Sequence, residues 1–257
     1  HPLPDSTALC LRLGRWGGAL LWSALAAVPV VLFFYVVEAV GVNEWGGFLL
    51  NMFLAVCSII LCFPLGVLLA LGRRSGLPLV RWMCTVYIEL IRGAPLFVLL
   101  LLANVALGFF VPTSWAPEKA TRAIVVFTLF TAGYMAEIVR GGLQSIPRGQ
   151  IEAAKAVGLS PVRQTWYVVL PQALRNVIPA QIGQLISLFK DTTLAGIAMG
   201  LFELLNVSEA ITAQDAFRGQ GLIGETITFA ALMFWIVAFT MSRESQRLEQ
   251  RLGVGVR

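Results

Sequence analysis

The chain is 257 residues long, 58% hydrophobic and 13% charged, with a formal net charge of +5 and a mean hydropathy of +0.80. That balance lies outside the range of water-soluble domains, so the sequence has to be read against a bilayer. A single histidine, His1, excludes a His-based metal site and a Ser/His/Asp triad, so intramembrane hydrolysis by such groups has no basis.

Six apolar stretches carry the hydrophobic content: 17–37, 48–72, 82–111, 123–140, 177–199 and 222–242. Most approach the roughly 20 residues that a helix needs to cross about 30 Å of hydrocarbon, and helices are required because a lone strand would leave its backbone unpaired in lipid. The first could be mistaken for a secretory signal, since Arg12 and Arg15 precede it, but its apolar run exceeds the roughly 7–15 residues of a signal core. The third is too long for one straight span. Gly93 and Pro95 divide it, which predicts a helix over 82–92 lying along the interface, followed by the crossing segment. Pro29, Pro64 and Pro179 read as kinks. The sequence opens on "HPLPDST" without a Met, as a processed or trimmed product would.

The basic residues set the orientation. With both ends cytoplasmic, that side collects Arg12, Arg15, Arg73, Arg74, Arg81, Arg140, Arg148, Lys155, Arg163, Arg175, Arg243, Arg247, Arg251 and Arg257, while the opposite loops hold Lys119 and Arg218, with Arg122 at a boundary. This asymmetry predicts an all-α polytopic membrane protein with six spans and both termini inside. The net charge then reports topology and lipid headgroups, and gives no argument for nucleic acid.

Between the fourth and fifth spans lies a polar segment, "IEAAKAVGLSPVRQTWYVVLP" at 151–171. Its charges would each cost about 2.5–3.5 kcal/mol at a bilayer centre, so it belongs in water or against another protein. "IEAAKAVG" reads as a short helix ended by Gly158 in a left-handed cap. Ser160 and Pro161 start a second, with a capping side chain and a proline at the first helical position, and that helix is expected to stop before Pro171. Two capped helices make a knob, more than a simple connection requires.

"EAAKAVG", followed after eleven residues by Leu170 and Pro171, resembles the EAA loop of ABC importer permeases, the segment that docks on the ATP-hydrolysing subunit. The likeness extends to "YIELIRGAPLFVLLL" from Tyr87, "AGYMAEIVRGGLQSIPRGQ" from Ala132, "LPQALRNVIPAQ" from Leu170 and "LISLFKDTTLAGIA" from Leu185. These motifs are similar to the polar amino acid branch of that family and run from about 48 to 242. With "LALGRRSGLPLVRW" at 69–82 they are most similar to permeases of general L-amino acid and glutamate/aspartate importers. The resemblance implies a type I importer core of five helices at 48–242 with its coupling loop at 146–171, preceded by an additional helix within 1–47 and followed by a cytoplasmic tail at 243–257. Where the branch often has "KDTSL", this chain reads Lys190, Asp191, Thr192, Thr193, Leu194.

By resemblance, Glu152 would contact the groove of the ATPase, Ala153 and Ala154 would pack there, Gly158 and Leu159 would form the turn, and Leu170 and Pro171 would tie the knob to span five. The implied partners are a second permease, two ATP-binding subunits and a periplasmic or extracellular amino acid-binding protein, in a bacterial inner membrane. No cofactor is expected on this chain, with ATP and Mg on the partner ATPase. The residues agree: a phosphate-cradling loop needs a lysine after a glycine, and the three lysines here follow Glu118, Ala154 and Phe189. The binding protein is expected near Glu38 and Glu44, the 112–121 loop, and 203–221 with Glu203, Glu209 and Asp215.

Two charged groups are conspicuous within the spans. Lys190 and Asp191 interrupt span five and need partners or water. They either pair with each other or with nearby carbonyls, or they line the substrate route with Thr192 and Thr193, meeting the ammonium and carboxylate of an amino acid. Glu89 with Arg92 and Glu137 with Arg140 repeat an acid-then-base spacing of three. Intrahelical pairing and an inner gate are both open for them. Cys57 and Cys62 read as buried small hydrophobes, Cys10 and Cys84 likewise, with no disulfide implied. Two rivals are weaker. An ion-coupled secondary transporter would show internal repeats and usually more spans, and a channel would show a selectivity motif.

Overall fold

The computed structural model describes residues 45–106, 110–111 and 116–252. The apolar stretch at 17–37, Cys10, Pro29, Glu38 and Glu44 lie outside those residues. The described helices belong to one unit that begins at Gly46.

The second apolar stretch forms α1, Gly47–Arg73. Leu50, Leu54, Cys57, Cys62 and Ala70 are buried on one side while Leu49, Val56 and Ile60 are exposed on the other. An exposed apolar face on a helix of this length suits lipid. The helix carries Pro64 in its interior. The third stretch divides where Gly93 and Pro95 predict. Pro78–Gly93 is α2 and Leu96–Val105 is α3, and the axis turns by 99° between them. Pro78 sits at the start of α2, where its missing N–H is not needed.

Lys119–Gln144 forms α4, which packs on α1 and on the helix that begins at Leu170. Glycines permit these approaches. A Cβ on Gly66 would lie 2.6 Å from the Cβ of Met135, and one on Gly142 would lie 2.6 Å from the carbonyl oxygen of Ala173. Small residues at such crossings let helix backbones close up where lipid supplies no hydrophobic drive.

The polar segment folds as α5, Arg148–Ala156, and α6, Pro161–Gln164. It departs from expectation at its far end. The second helix does not stop before Pro171: a π-helical turn over Thr165–Val169 carries it into α7, Leu170–Asp191. The wider turn, in which the Leu170 N–H donates to the Thr165 carbonyl, shifts the hydrogen-bond register where Pro171 has no N–H to give. The second helix of the knob and α7 are thus one continuous rod. Ser160 differs also. Its side chain makes no capping bond, and its carbonyl receives the Gln164 N–H at 2.8 Å.

That rod breaks at Thr192, inside the stretch expected to run to 199. The short helix α8, Leu194–Met199, follows, closed by Gly200 at φ 67°. Then come α9, Leu204–Ala213, and α10, Ile223–Leu252. Phe48, Phe189 and Phe234 meet edge to face or tilted, with centroids 5.0–6.2 Å apart, and join α1, α7 and α10. No strand occurs among the described residues. Three of the described helices, α1, α4 and α10, are long and apolar enough to cross a membrane, and the bent pair α2 and α3 reaches that length and hydropathy only when its two helices are taken together. The rod α7 is more polar, with Arg175, Asn176, Gln181, Lys190 and Asp191.

Candidate functional site

The knob is closed by its own backbone. Past the end of α5, the Leu159 N–H donates to the Ala154 carbonyl at 3.2 Å and the Gly158 N–H to the Lys155 carbonyl at 2.9 Å. Gly158 takes φ 76°, which completes a Schellman cap that glycine adopts without strain. The Gln164 amide then donates to the Leu159 carbonyl at 2.6 Å and is buried, so the reversal is pinned from both sides. Gln164 was not singled out from the sequence, although a glutamine four residues after Ser160 is well placed to reach back.

Glu152, Ala153 and Gly158 are exposed, Leu159 is half-buried, and Ala154 is turned inward at 4% exposure. The outer surface is apolar in places, with Val157, Val162, Trp166 and Tyr167 all exposed by half or more. The inner surface is rooted in the bundle. Val169 and Leu170 belong to one apolar cluster with Val67 and Ala70 of α1 and Met135, Val139 and Leu143 of α4, and Ile151 packs against it. Pro171 itself is exposed. Asn176 donates to Ser145 at 3.1 Å, so α7 is tied to the end of α4 as well.

Above the knob lies a cluster of charge on three helices. Arg73, at the end of α1, bonds Glu137 of α4 and Glu89 of α2, the latter at 2.9 Å. Glu137 also accepts from Arg140 at 2.7 Å and lies 3.9 Å from Arg92. Of the two acid-base pairs read along the helices, Glu137 with Arg140 is present, whereas Glu89 reaches across to Arg73. Arg73, which in the sequence bears only on orientation, is the residue that joins the two pairs. The Glu137 side chain, 16% exposed against 56% for Glu89, is the anchor of the cluster. Tyr134 adds a contact from α4, its hydroxyl donating to the Arg92 carbonyl at 3.4 Å beneath the Arg92 guanidinium.

At the break after α7, Lys190 is exposed and Asp191 half-buried, and no ion pair joins them among the described residues. The two threonine hydroxyls turn back on their own helix: Thr192 donates to the Phe189 carbonyl at 2.7 Å and Thr193 to the Lys190 carbonyl at 2.9 Å. Thr192 is fully buried and accepts from the Asn51 amide at 3.0 Å.

Asn51 leads to a site the sequence reading misassigned. Glu203, expected on an outer surface for a binding protein, is fully buried. It caps α9, accepting the N–H groups of Leu205 at 3.0 Å and Asn206 at 2.9 Å, and accepts from Asn51 at 3.2 Å. Burial pushes its carboxyl above the ordinary glutamate value, against the opposing pull of those donors. The signals were legible: an asparagine in the first turn of an apolar helix needs a buried partner, and an acid just before a helix suits its positive end. Glu209 remains exposed, and Asp215 is exposed beside Arg218 at 3.6 Å.

A recess of about 340 Å³ between α3 and α4 is lined by Leu99, Leu102, Phe110, Val126 and other apolar side chains, and so offers nothing to a zwitterion. Among the described residues no group of three or more His, Cys, Asp or Glu could hold a metal. Cys57 and Cys62 are buried free thiols, and Cys84 is half-buried.

The pattern of the family described as "Binding-protein-dependent transport system inner membrane component" matches residues 62–254. The chain is 45% identical over 192 residues to the inner membrane amino-acid ABC transporter permease protein YhdY of Escherichia coli (strain K12), covering 75% of this chain and 52% of that protein. It is 42% identical over 190 residues to the glutamate/glutamine/aspartate/asparagine transport system permease protein BztC of Rhodobacter capsulatus, covering 74% of this chain and 43% of that one. The chain thus spans about half the length of these two curated relatives. Its fold is similar to a chain in the crystal structure of an amino acid ABC transporter with histidines, at a TM-score of 0.71 and 26% identity, covering 85% of this chain and 98% of that chain. The chain belongs to the binding-protein-dependent transport system inner membrane component family.

Proposed function

We propose that this member of the family is a permease subunit of an ATP-driven importer of polar L-amino acids, with the knob at 146–171 as the element through which a separate ATPase moves the bundle. The observation that carries the reading is the root of the knob. Ile151, Val169 and Leu170 share one apolar cluster with α1 and α4, and α6 continues through the π-helical turn into α7. A force on the knob is therefore delivered to three bundle helices through close-packed side chains, which transmit strain rather than absorb it.

In this reading the exposed Glu152 and Ala153 face the ATPase. Gly158 and Leu159 hold the reversal. Ala154, expected to pack on the ATPase beside Ala153, is buried and braces the knob from within, and Leu170 and Pro171, at the start of α7, tie the knob to span five. Lys190, Asp191 and Thr193 mark the route on the outer side, while Thr192, buried against Asn51, holds the break on which they stand. Glu89, Arg92, Glu137 and Arg140, joined by Arg73, form an inner gate whose ion pairs exchange partners as the helices shift. Six spans place both ends in the cytoplasm. The additional span lies in 1–47, the permease core in 48–242 and the tail in 243–257. The partners are a second, different permease chain, two ATP-binding subunits that carry ATP and Mg, and an amino acid-binding protein outside, in a bacterial inner membrane. The names of the relatives support the amino acid class, and the basic residues at the knob end of the bundle support the orientation.

Reconstitution with candidate partners into vesicles tests this. Uptake across an amino acid panel that requires ATP and survives collapse of ion gradients is the expected result. Uptake driven by an ion gradient without ATP would overturn it in favour of a secondary transporter.

A further inference from the structure

We propose that α2 is an in-plane anchor, and that Arg74, just after α1, and Arg81, in the first turn of α2, bind the phosphate headgroups of anionic phospholipids in the cytoplasmic leaflet. The choice of leaflet rests on the topology proposed above. The headgroup chemistry rests on the geometry.

The 99° turn between α2 and α3 means that if α3 runs through the hydrocarbon, α2 lies near the membrane plane. At 100° per residue α2 divides into three faces. Cys84, Ile88 and Ile91 form the face against the bundle: Ile88 is fully buried, Cys84 lies over Gly72, and Ile91 lies over Gly133. Leu79, Trp82, Met83 and Leu90 form a second face, exposed by 57–68%. Arg81, Thr85, Glu89 and Arg92 form the third, polar face. A helix with one stripe free to enter the acyl boundary, a charged stripe beside it and a tryptophan at the edge is built for the interface.

The charges on and around this helix divide into two sets. Arg73, Glu89 and Arg92 are engaged in the cluster with Glu137. Arg74 and Arg81, on either side of the turn at 75–77, have no carboxylate partner among the described residues. Arg74 makes only a 3.4 Å bond to the Leu143 carbonyl. Both are exposed; Arg81 stands on the polar face in the first turn of α2, directly before Trp82 in the chain, and Arg74 precedes the helix by four residues. Two unneutralised guanidiniums at the level where a tryptophan meets the headgroups fit phosphate, which takes paired N–H donors. An apolar protein partner would cover the stripe and leave the two cations uncompensated. An anionic lipid surface satisfies both at once.

The test uses the full chain in nanodiscs of phosphatidylcholine with a minor fraction of phosphatidylglycerol, reading retained lipid by native mass spectrometry. Phosphatidylglycerol is expected to be enriched on the wild type. Arg74→Gln with Arg81→Gln should lower the enrichment by about fivefold for each arginine, and Arg247→Gln, whose guanidinium is already paired with Glu244, should leave it unchanged. Equal enrichment in the wild type and the double variant would overturn the proposal. A second arm needs no arginine variant. Emission lost on Trp82→Phe should be quenched more strongly by brominated phosphatidylglycerol than by brominated phosphatidylcholine, and equal or absent quenching would overturn the proposal. Neither arm uses ATP or partner subunits, and both leaflets carry the same lipids. Failure here leaves the transport reading intact, and failure of ATP-driven uptake leaves this inference intact.

Discussion

Asn51 and Glu203 stand 152 residues apart in the chain and share a hydrogen bond of 3.2 Å at a point where both are fully buried. The same asparagine accepts the Leu204 N–H at 2.9 Å and donates to Thr192 at 3.0 Å. One side chain therefore joins the start of α1, the break after α7 and the cap of α9. Asn51→Leu keeps the volume but strands the Leu204 N–H and removes a donor from Glu203. A loss of about 1–3 kcal/mol is expected, read as a lower unfolding midpoint in detergent, with Thr192→Val costing less.

The carboxyl at this junction makes stability depend on pH. Burial raises the native value of Glu203, so across the window above the ordinary glutamate value of about 4.3 the folded chain holds a proton that the unfolded chain has lost. Its contribution is fully present below that window and is lost as pH rises through the native value. Melting temperature should fall across the window for the wild type and run flatter for Glu203→Gln. Parallel profiles would assign the titration to another group.

Gly142 and Gly141 are neighbours with opposite expectations. A Cβ on Gly142 would meet the Ala173 carbonyl oxygen at 2.6 Å, a backbone atom that cannot swing aside, while one on Gly141 meets nothing within 4 Å. Gly142→Ala should destabilise by about 1–3 kcal/mol through separation of α4 from α7. Gly141→Ala should be neutral or stabilising by up to about 1 kcal/mol from helix propensity. Denaturant midpoints in one detergent compare the two directly.

The charged cluster predicts an order among its acids. Glu137 touches Arg73, Arg140 and Arg92, whereas Glu89 touches Arg73 alone from a more exposed position. Glu137→Gln leaves three guanidiniums together without their shared carboxylate and should reduce transport strongly. Glu89→Gln should have a several-fold smaller effect, because exposed pairs contribute little. Initial uptake rates at matched expression measure the difference, and equal rates for the two variants would remove Glu137 from the gate.

Much of this was readable in the sequence where the local signal and the tertiary demand agree. The apolar run at 48–72, the punctuation at Gly93 and Pro95, and the cap at Gly158 each follow from one stretch of chain, and each appears within a few residues of its expected place. The failures have a shared physical cause. Pro171 was read as a stop because a proline lacks a donor, but a π-helical turn absorbs that defect where the bundle needs a continuous rod. The spacing of Glu89 and Arg92 leaves pairing within the helix and a role between helices both open, and Arg73 arriving from another helix decides for the second. Topology puts Glu203 in a loop on the outer side, and only the approach of Asn51 and the free end of α9 makes its burial tolerable. A local pattern can show that a group such as Asn51 needs a partner, but not which distant segment brings it.

The most direct test of the central claim places a thiol on the exposed outer surface of the knob, as Ala153→Cys, and crosslinks it in membranes containing the assembled transporter. The account predicts a crosslink to an ATP-binding subunit, formed from the cytoplasmic side and altered in yield by nucleotide. A thiol that reacts only from the opposite face, or that finds no ATP-binding neighbour while uptake proceeds, would contradict it.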